Sequence, residues 1–476
     1  MIKKIRFIEP GSTLPHKKSI ANLFTYNQFI RNPSTGLILL TTITKQIVDD
    51  TLMYSEAISE IVFDDIYDAD IVFIGINTFS AIRGYEIAKW IKKNSKAIVV
   101  FGGLHATLNY TESVNHGDYV LLGEGEEIIP LFIDAIQNER IVDFPGVAYK
   151  SNEQIIFTGN PVPPERFETI PDRHLVFKYH KVAKYDTLWP QVHASRGCPH
   201  NCDYCTVIKL FGRKTRTRNP ENVIADIKQS IAFHHRNFIP RLNDVVWITD
   251  DNFHADREWA VALLNAIINS DLHCHFSIQA RFEVGFDDEL LDLMKKAGFI
   301  EVAMGIEFLE DESFTDFNKQ SSRSEIVRSI QNIQKHGIGV RGLFMVGADN
   351  HMVGVGDKIV DFVIKNKIHG VLIQSMFFIP GTPAYDAYKN RLIHENWEKY
   401  NGNVVHFPKN IKPYELQQEI INASANIYSF KRLLHALVYY KWINKVLFLG
   451  EFFWHKSIRK ELRNELPFLY SLETGR

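Results

Sequence analysis

Three of the chain's four cysteines fall within one stretch, Ser195-Arg196-Gly197-Cys198-Pro199-His200-Asn201-Cys202-Asp203-Tyr204-Cys205. The Gly, Pro, Asn and Asp among them favour a loop, and three thiolates on a loop can grip one small object. Thiolates are soft ligands and select zinc or an iron–sulfur cluster. A structural zinc site takes four protein ligands; no second cysteine pair is at hand, although His200 is available as a fourth ligand. A 4Fe–4S cube normally takes four cysteines, and held by three it leaves one iron open to an outside ligand. Cys274, distant from the others, reads as a small core residue on a strand.

Around this loop, strand-like runs at 191–194, 244–250, 274–280, 301–306, 340–346 and 371–377 alternate with helical segments at 220–235, 256–270, 287–297, 322–336 and 357–367. That alternation predicts a parallel sheet, two strands short of a full eight-stranded barrel. In such a barrel chemistry gathers at the carboxyl ends of the strands. Asp250 and Asp251 stand at the second such end, Gln279 and Arg281 at the third, Glu307 at the fourth and Gly347 at the fifth. Read alone, either aspartate equally suits a helix-capping loop, and Arg281 a structural ion pair.

The amino-terminal part carries a second alternating pattern, with strands at 5–9, 51–55, 70–76, 97–101 and 119–122 and helices at 82–94 and 126–138. It predicts a doubly wound open sheet that binds ligands outside its strand ends. Three loops sit at those ends: Asn77-Thr78-Phe79-Ser80, Gly102-Gly103-Leu104-His105 and Gly123-Glu124-Gly125-Glu126-Glu127. Glycine there permits close approach of backbone to ligand.

A length of 476 residues suggests about three domains at roughly 150 residues each. The pattern divides the chain into residues 1–135, a connector at 136–190 rich in proline (Pro145, Pro161, Pro163, Pro164, Pro171), residues 191–390, and a helical region at 391–476. With 54 basic and 56 acidic residues the charge is −2, which excludes a general nucleic-acid binder. Four cysteines exclude a disulfide scaffold. The start, Met-Ile-Lys-Lys-Ile-Arg, lacks a secretory pattern, and no apolar run is long enough for a membrane span, so a cytoplasmic protein is expected. Helices at 413–430 and 432–452 are expected to cap the barrel mouth. The aromatic and lysine content of 433–454 also suits peripheral contact with a membrane surface.

The spacing C-x3-C-x2-C, with Tyr204 before the last cysteine, resembles the signature of the radical S-adenosylmethionine (SAM) superfamily. The resemblance implies that Cys198, Cys202 and Cys205 hold a 4Fe–4S cluster and that SAM chelates its open iron. It further implies that Tyr204, Asp250, Asp251, Gln279, Arg281, Glu307 and Gly347 lie around SAM. The motif Gly-Gly-x-His-Ala-Thr at 102–107, followed by Asp118-Tyr119-Val120 and Gly123-Glu124-Gly125-Glu126, is similar to the cobalamin-binding domain of the cobalamin-dependent radical SAM family. By that likeness Thr78, Ser80, Arg83, Gly102, Gly103, His105, Gly123 and Glu124 contact cobalamin. The Asp-x-His-x-x-Gly box of cobalamin-dependent methionine synthase is absent, so no histidine is assigned as lower cobalt ligand.

The resemblance spans roughly the first 390 residues and is nearest the subgroup containing the hopanoid C2-methylase and the magnesium-protoporphyrin ester cyclase. The fold it implies is an N-terminal doubly wound (Rossmann-like) cobalamin domain, a partial (β/α)6 radical SAM barrel and a C-terminal helical region. The function it implies is methyl transfer to an unactivated carbon, using a 5′-deoxyadenosyl radical and methylcobalamin. The alternatives are an oxidative cyclase or rearrangement enzyme and a non-catalytic cobalamin or redox sensor. The expected partners are a small-molecule substrate, lipid-like or a natural-product intermediate, and an external electron donor of flavodoxin or ferredoxin type.

Overall fold

Two largely parallel sheets organise the chain, which a computed structural model describes over residues 1–11, 32–183, 189–234, 245–394, 396–439 and 442–474. The first sheet contains β1 (Lys4–Glu9), β2 (Asp50–Ser55), β3 (Ile71–Gly75), β4 (Ile98–Gly102), β5 (Tyr119–Leu121), β6 (Val147–Ser151) and β7 (Gln154–Phe157), in the order β2-β1-β3-β4-β5-β6-β7. The runs Ile71-Val72-Phe73-Ile74 and Val99-Val100-Phe101 are apolar on both faces because helices cover both. α1 (Thr35–Lys45) and α4 (Gly125–Gln137) bury their apolar residues with one face, α2 (Ala81–Asn94) with the other. Strand order reverses between β1 and β3, which opens a crevice at their carboxyl ends.

One expectation is corrected here. The proline-rich connector contains the antiparallel hairpin β6–β7, which extends the first sheet past β5.

The second sheet runs β8 (Gln191–Val192), β11 (Val245–Ile248), β12 (His275–Ala280), β13 (Phe299–Glu307), β14 (Gly339–Val346) and β15 (Gly370–Ser375), each parallel to its neighbour. Between these strands lie α5 (Pro220–Phe233), α6 (Arg257–Ile268), α7 (Asp288–Lys296), α8 (Arg323–Lys335) and α9 (Val355–Lys365), giving the partial (β/α)6 barrel. A short antiparallel pair, β9 (Ser195–Arg196) with β10 (Arg216–Thr217), brackets the cysteine loop. Cys274 is buried immediately before β12. Residues 235 and 244, expected at a helix end and a strand start, lie outside the described residues.

The carboxyl-terminal helices are α10 (Pro413–Ile427), α11 (Phe430–Tyr439) and α12 (Trp442–Thr474). Of the helix expected over 432–452, the described residues show α11 up to Tyr439 and α12 from Trp442, residues 440 and 441 lying outside them, and α12 runs on to Thr474. These helices do not cap the mouth. Arg341, near the amino end of β14, pairs with Glu301 of β13 at 3.0 Å and with Glu451 of α12, all three buried or nearly so. Glu301 also accepts from Ser277 Oγ at 2.9 Å and contacts His369 Nε2 at 2.7 Å. Val371, on the free edge of β15, donates its N–H to the Tyr428 hydroxyl at 2.8 Å, and that hydroxyl donates to Glu451 at 2.9 Å. The helices therefore close the barrel's open edge and its amino-terminal end. The mouth is roofed instead by the first sheet and the segment around Trp397, whose Nε1–H donates to Glu112 at 3.0 Å.

Candidate active site

The cysteine loop leaves β8 under tension from a buried carboxylate. Asp250 Oδ1 accepts from the Ala194 and Ser195 amides at 2.7 and 2.9 Å, and Oδ2 accepts from Ser195 Oγ at 2.7 Å. Both oxygens are engaged inside the framework. Asp250, expected beside SAM, fastens the strand that launches the loop.

Cys202 is buried and receives the Arg281 guanidinium at 3.7 Å from its sulfur. Arg281 also holds Glu283 at 3.0 Å and donates to the Gln320 carbonyl at 2.8 Å, so the cation is both ion-paired and aimed at the loop. Lys319, equally buried, donates to the Gly305 carbonyl at 2.7 Å and lies 3.3 Å from Glu307. Burial raises the Cys198 thiol and pushes Cys205 up to about 12, so any metal bound by these sulfurs would have to expel their protons. Among the described residues no three His, Cys, Asp or Glu side chains are placed to hold a single metal ion. Three soft sulfurs without a tight single-ion geometry fit a cube better than a zinc clasp.

Asp251 differs from its neighbour. Its Oδ2 is buried without a hydrogen-bond partner, and burial, then the adjacent Asp250, push the carboxyl up to about 7, against the Gly197 amide. An orphaned carboxylate oxygen beside the cysteine loop fits a cationic ammonium or sulfonium compound.

For the iron-free protein this has a signed consequence. An unfolded Asp ionises near 4, so between about pH 4 and 7 the folded chain keeps a proton that the unfolded chain has lost. Stability falls as pH rises through that window and is level above it, a difference on the order of 4 kcal/mol. Asp251→Asn should flatten the slope and stabilise the iron-free protein at pH 8, read as denaturation midpoints at pH 5 and 8.

Two adjoining cavities separate the sheets. The larger, about 830 Å³, is lined by Tyr204, Cys205 and Glu307 from the barrel and by Thr78 and Ser80 from the loop after β3. The smaller, about 370 Å³, is lined by Gly102, Gly103, Gly123 and Glu124 from the first sheet and by Gln191, His193 and Arg196 from the barrel. Glu9, Asn77 and Gln191 border both. A Cβ on Gly102 would meet only the Leu121 carbonyl, at 3.7 Å, so its missing side chain leaves room for a ligand rather than for packing. The chamber fits a large flat cofactor on the first sheet facing a cluster-bound one on the barrel.

Other expected contacts lie elsewhere. Arg83 is ion-paired with Glu56 at 2.8 Å. His105, on a short helix, Leu104–Leu108, is wholly buried, with Nδ1 3.3 Å from Thr78 Oγ1 and Nε2 3.5 Å from Glu112. It lines neither cavity. Gly347 (φ +108°) is wedged against His406, whose ring a Cβ would approach to 2.8 Å, and its amide donates to His351. Its glycine answers packing, not a cofactor. Gln279 is the penultimate residue of β12, its carbonyl accepting from the Phe253 amide at 3.1 Å.

Glu124 meets a partner that sequence reasoning missed. It is buried between Arg196, of the cysteine motif, and Arg216, with Arg196 also 2.6 Å from Glu126 and stacked 4.3 Å over Phe167. The glycine-rich loop of one half is thus locked to the cysteine loop of the other. An arginine beside the first cysteine and a Glu-rich loop were visible signals, but nothing in the sequence joins positions 72 residues apart.

A partial parallel barrel whose first strand feeds a three-cysteine loop faces a doubly wound sheet across a chamber. Residues 192–362 match the radical SAM superfamily. Those residues form a radical SAM domain, and the overall fold of the chain resembles that of a radical SAM methyltransferase solved with cobalamin bound. That structure, the radical S-adenosylmethionine methyltransferase TsrM from Kitasatospora setae with cobalamin and a 4Fe–4S cluster, is 14% identical, covers 98% of this chain and 99% of its own, and superposes with a TM-score of 0.69. Bacteriochlorophyllide d C-8(2)-methyltransferase of Chlorobaculum tepidum is 26% identical over 381 residues, 78% of this chain and 81% of the relative. The anaerobic magnesium-protoporphyrin IX monomethyl ester cyclase of Rubrivivax gelatinosus is 26% identical over 284 residues, 57% of this chain and 49% of the relative.

Proposed function

We propose that the protein is a cobalamin-dependent radical SAM methyltransferase that acts on an unactivated carbon of a small, largely apolar molecule. The carrying observation is the shared chamber, in which Cys205 and the corrin-side residues Thr78 and Ser80 line one cavity. When bound, the cluster with SAM supplies hydrogen-atom abstraction from carbon and the corrinoid supplies a transferable methyl group.

The chain's own residues do the positioning. Cys198, Cys202 and Cys205 hold the cluster, with Arg281 and Lys319 as buried cations that offset the charge of its thiolates. Asp251 offers its unpaired oxygen to the SAM ammonium, and Glu307 offers a carboxylate to the ribose hydroxyls. Gly102 lets the corrinoid lie against backbone, with Gly103 and Gly123 lining the same cavity. Phe79, Phe344, Leu372 and Phe377 exclude water from the chamber and favour an apolar substrate. A one-electron donor of flavodoxin or ferredoxin type completes the system, and four cysteines without disulfides support a reducing, cytoplasmic setting.

The test is anaerobic incubation of the reconstituted protein with methyl-labelled SAM and a host metabolite extract. Label on a new carbon, with a mass gain of one methylene, is expected. Loss of hydrogen or gain of oxygen without label would favour oxidative cyclisation, the reading that similarity to the ester cyclase supports. Absence of any SAM cleavage by the reduced protein would leave a non-catalytic sensor.

A further inference from the structure

The last third of the molecule exposes an apolar face with no part in the chamber. On α11, Phe430, Leu434, Leu437 and Val438 are 66%, 50%, 42% and 67% exposed, while Leu433 and Ala436 are buried at 7% and 0%. Spacings of four, seven and eight residues from Phe430 put the four exposed residues on one arc of about 100°. Leu433 and Ala436 face the other way, into the protein. The helix is thus anchored by one face and presents a second apolar face outward, where a globular surface ordinarily shows polar residues. Solvated stretches of large apolar side chains on this scale mark an interaction site.

Charge indicates what covers it. Residues 429–450 contain Lys431, Arg432, Lys441 and Lys445 and no acidic residue, in a chain whose overall charge is −2. Lys431 is exposed and borders the apolar arc, with His435 exposed beyond it. A short helix with an apolar arc, a cationic margin and no carboxylate is the form that lies in the plane of an anionic lipid surface, with apolar side chains among the acyl chains and lysines at the phosphates. No helix among the described residues is long and apolar enough to cross a membrane, so the contact is at the surface. No residue of α11 lines either cavity.

We propose that α11 docks the protein onto bilayers of anionic phospholipid through Phe430, Leu434, Leu437 and Val438. The reading is independent of the reaction catalysed.

The experiment is co-sedimentation of the full-length protein with vesicles of pure phosphatidylcholine and of phosphatidylcholine containing phosphatidylglycerol. The expected result is at least ten-fold tighter partitioning to the anionic vesicles, weakened by high salt, and at least ten-fold loss of that partitioning in L434E/V438E. Both positions are solvent-exposed, so the double variant should keep the wild-type melting transition and iron content, which are measured alongside. Three results would overturn the proposal: no sedimentation of the wild type with anionic vesicles, equal partitioning of wild type and variant, or a lipid-free dimer of the wild type that L434E/V438E dissociates. The last would assign the face to a second copy of the chain.

Discussion

Cys202→Ala should reduce 5′-deoxyadenosine formation from SAM to background and strip most cluster iron, while leaving cobalamin bound. Cys202 is the most enclosed of the three loop sulfurs, 9% exposed with Arg281 against it, so no water or neighbouring side chain can replace it as a ligand. A cube held by two thiolates would lose the arrangement in which a single iron is open. The corrin side should not feel the change, because Gly102 belongs to β4 and the loop at Gly123 is held through Glu124 to Arg196 and Arg216, not to Cys202. The measurements are iron content, the low-temperature paramagnetic signal of the reduced cluster and the visible spectrum of bound cobalamin. Retention of SAM cleavage would refute the assignment of the loop; simultaneous loss of cobalamin would show that the two halves do not hold their cofactors separately.

A larger structural effect is expected from the buried group that joins the halves. Glu124→Gln leaves Arg196 and Arg216 enclosed, at 4% and 8% exposure, around a neutral amide. Removing one member of such a group costs about 3–5 kcal/mol, because the remaining charge has no solvent to return to. Arg196→Met should act similarly from the opposite side. Both variants should lower the melting transition and impair iron and cobalamin uptake together, since the loop at 123–126 and the loop at 198–205 are then released from each other. Replacing Glu124, Arg196 and Arg216 jointly by apolar residues of similar volume should restore most of the stability, as a well-packed apolar core can stand in for a buried ion group. If Glu124→Gln melts like the parent, the lock is an incidental contact.

The strands and the three-cysteine loop could be read from sequence because they are local. Val99-Val100-Phe101 needs only its own apolar run to declare a buried strand, and three cysteines within eight positions need no distant partner. What failed was what depends on distance or orientation. The hairpin β6–β7 is mostly solvent-facing, with Lys150, Ser151, Gln154 and Ile155 exposed, so it lacks the alternation that marks a half-buried strand. Its turn uses Asn152 and Glu153 at positive φ, where glycine would have been the plainer sign. Asp250 and Asp251 are adjacent carboxylates of opposite employment, one spent on three donors and one with an oxygen left unpaired, and no pattern separates them. Gly347 and His105 lie near the expected places, but their packing partners, His406 and Glu112, turn them from the chamber. The helices at the carboxyl end declared themselves by period, yet their station was set by Arg341 reaching Glu451, 110 residues away.

The Tyr428 hydroxyl on the rim of β15 has an implication for what lengths of this chain can be made. An incomplete barrel ends in a strand whose outward amides would otherwise recruit any extended segment that diffuses by. Here a phenol answers one of them, and a helical layer shields the rest. Truncated versions that stop short of residue 428 should therefore expose a self-adhesive border and precipitate as they are synthesised, even though every proposed cofactor ligand is still encoded upstream.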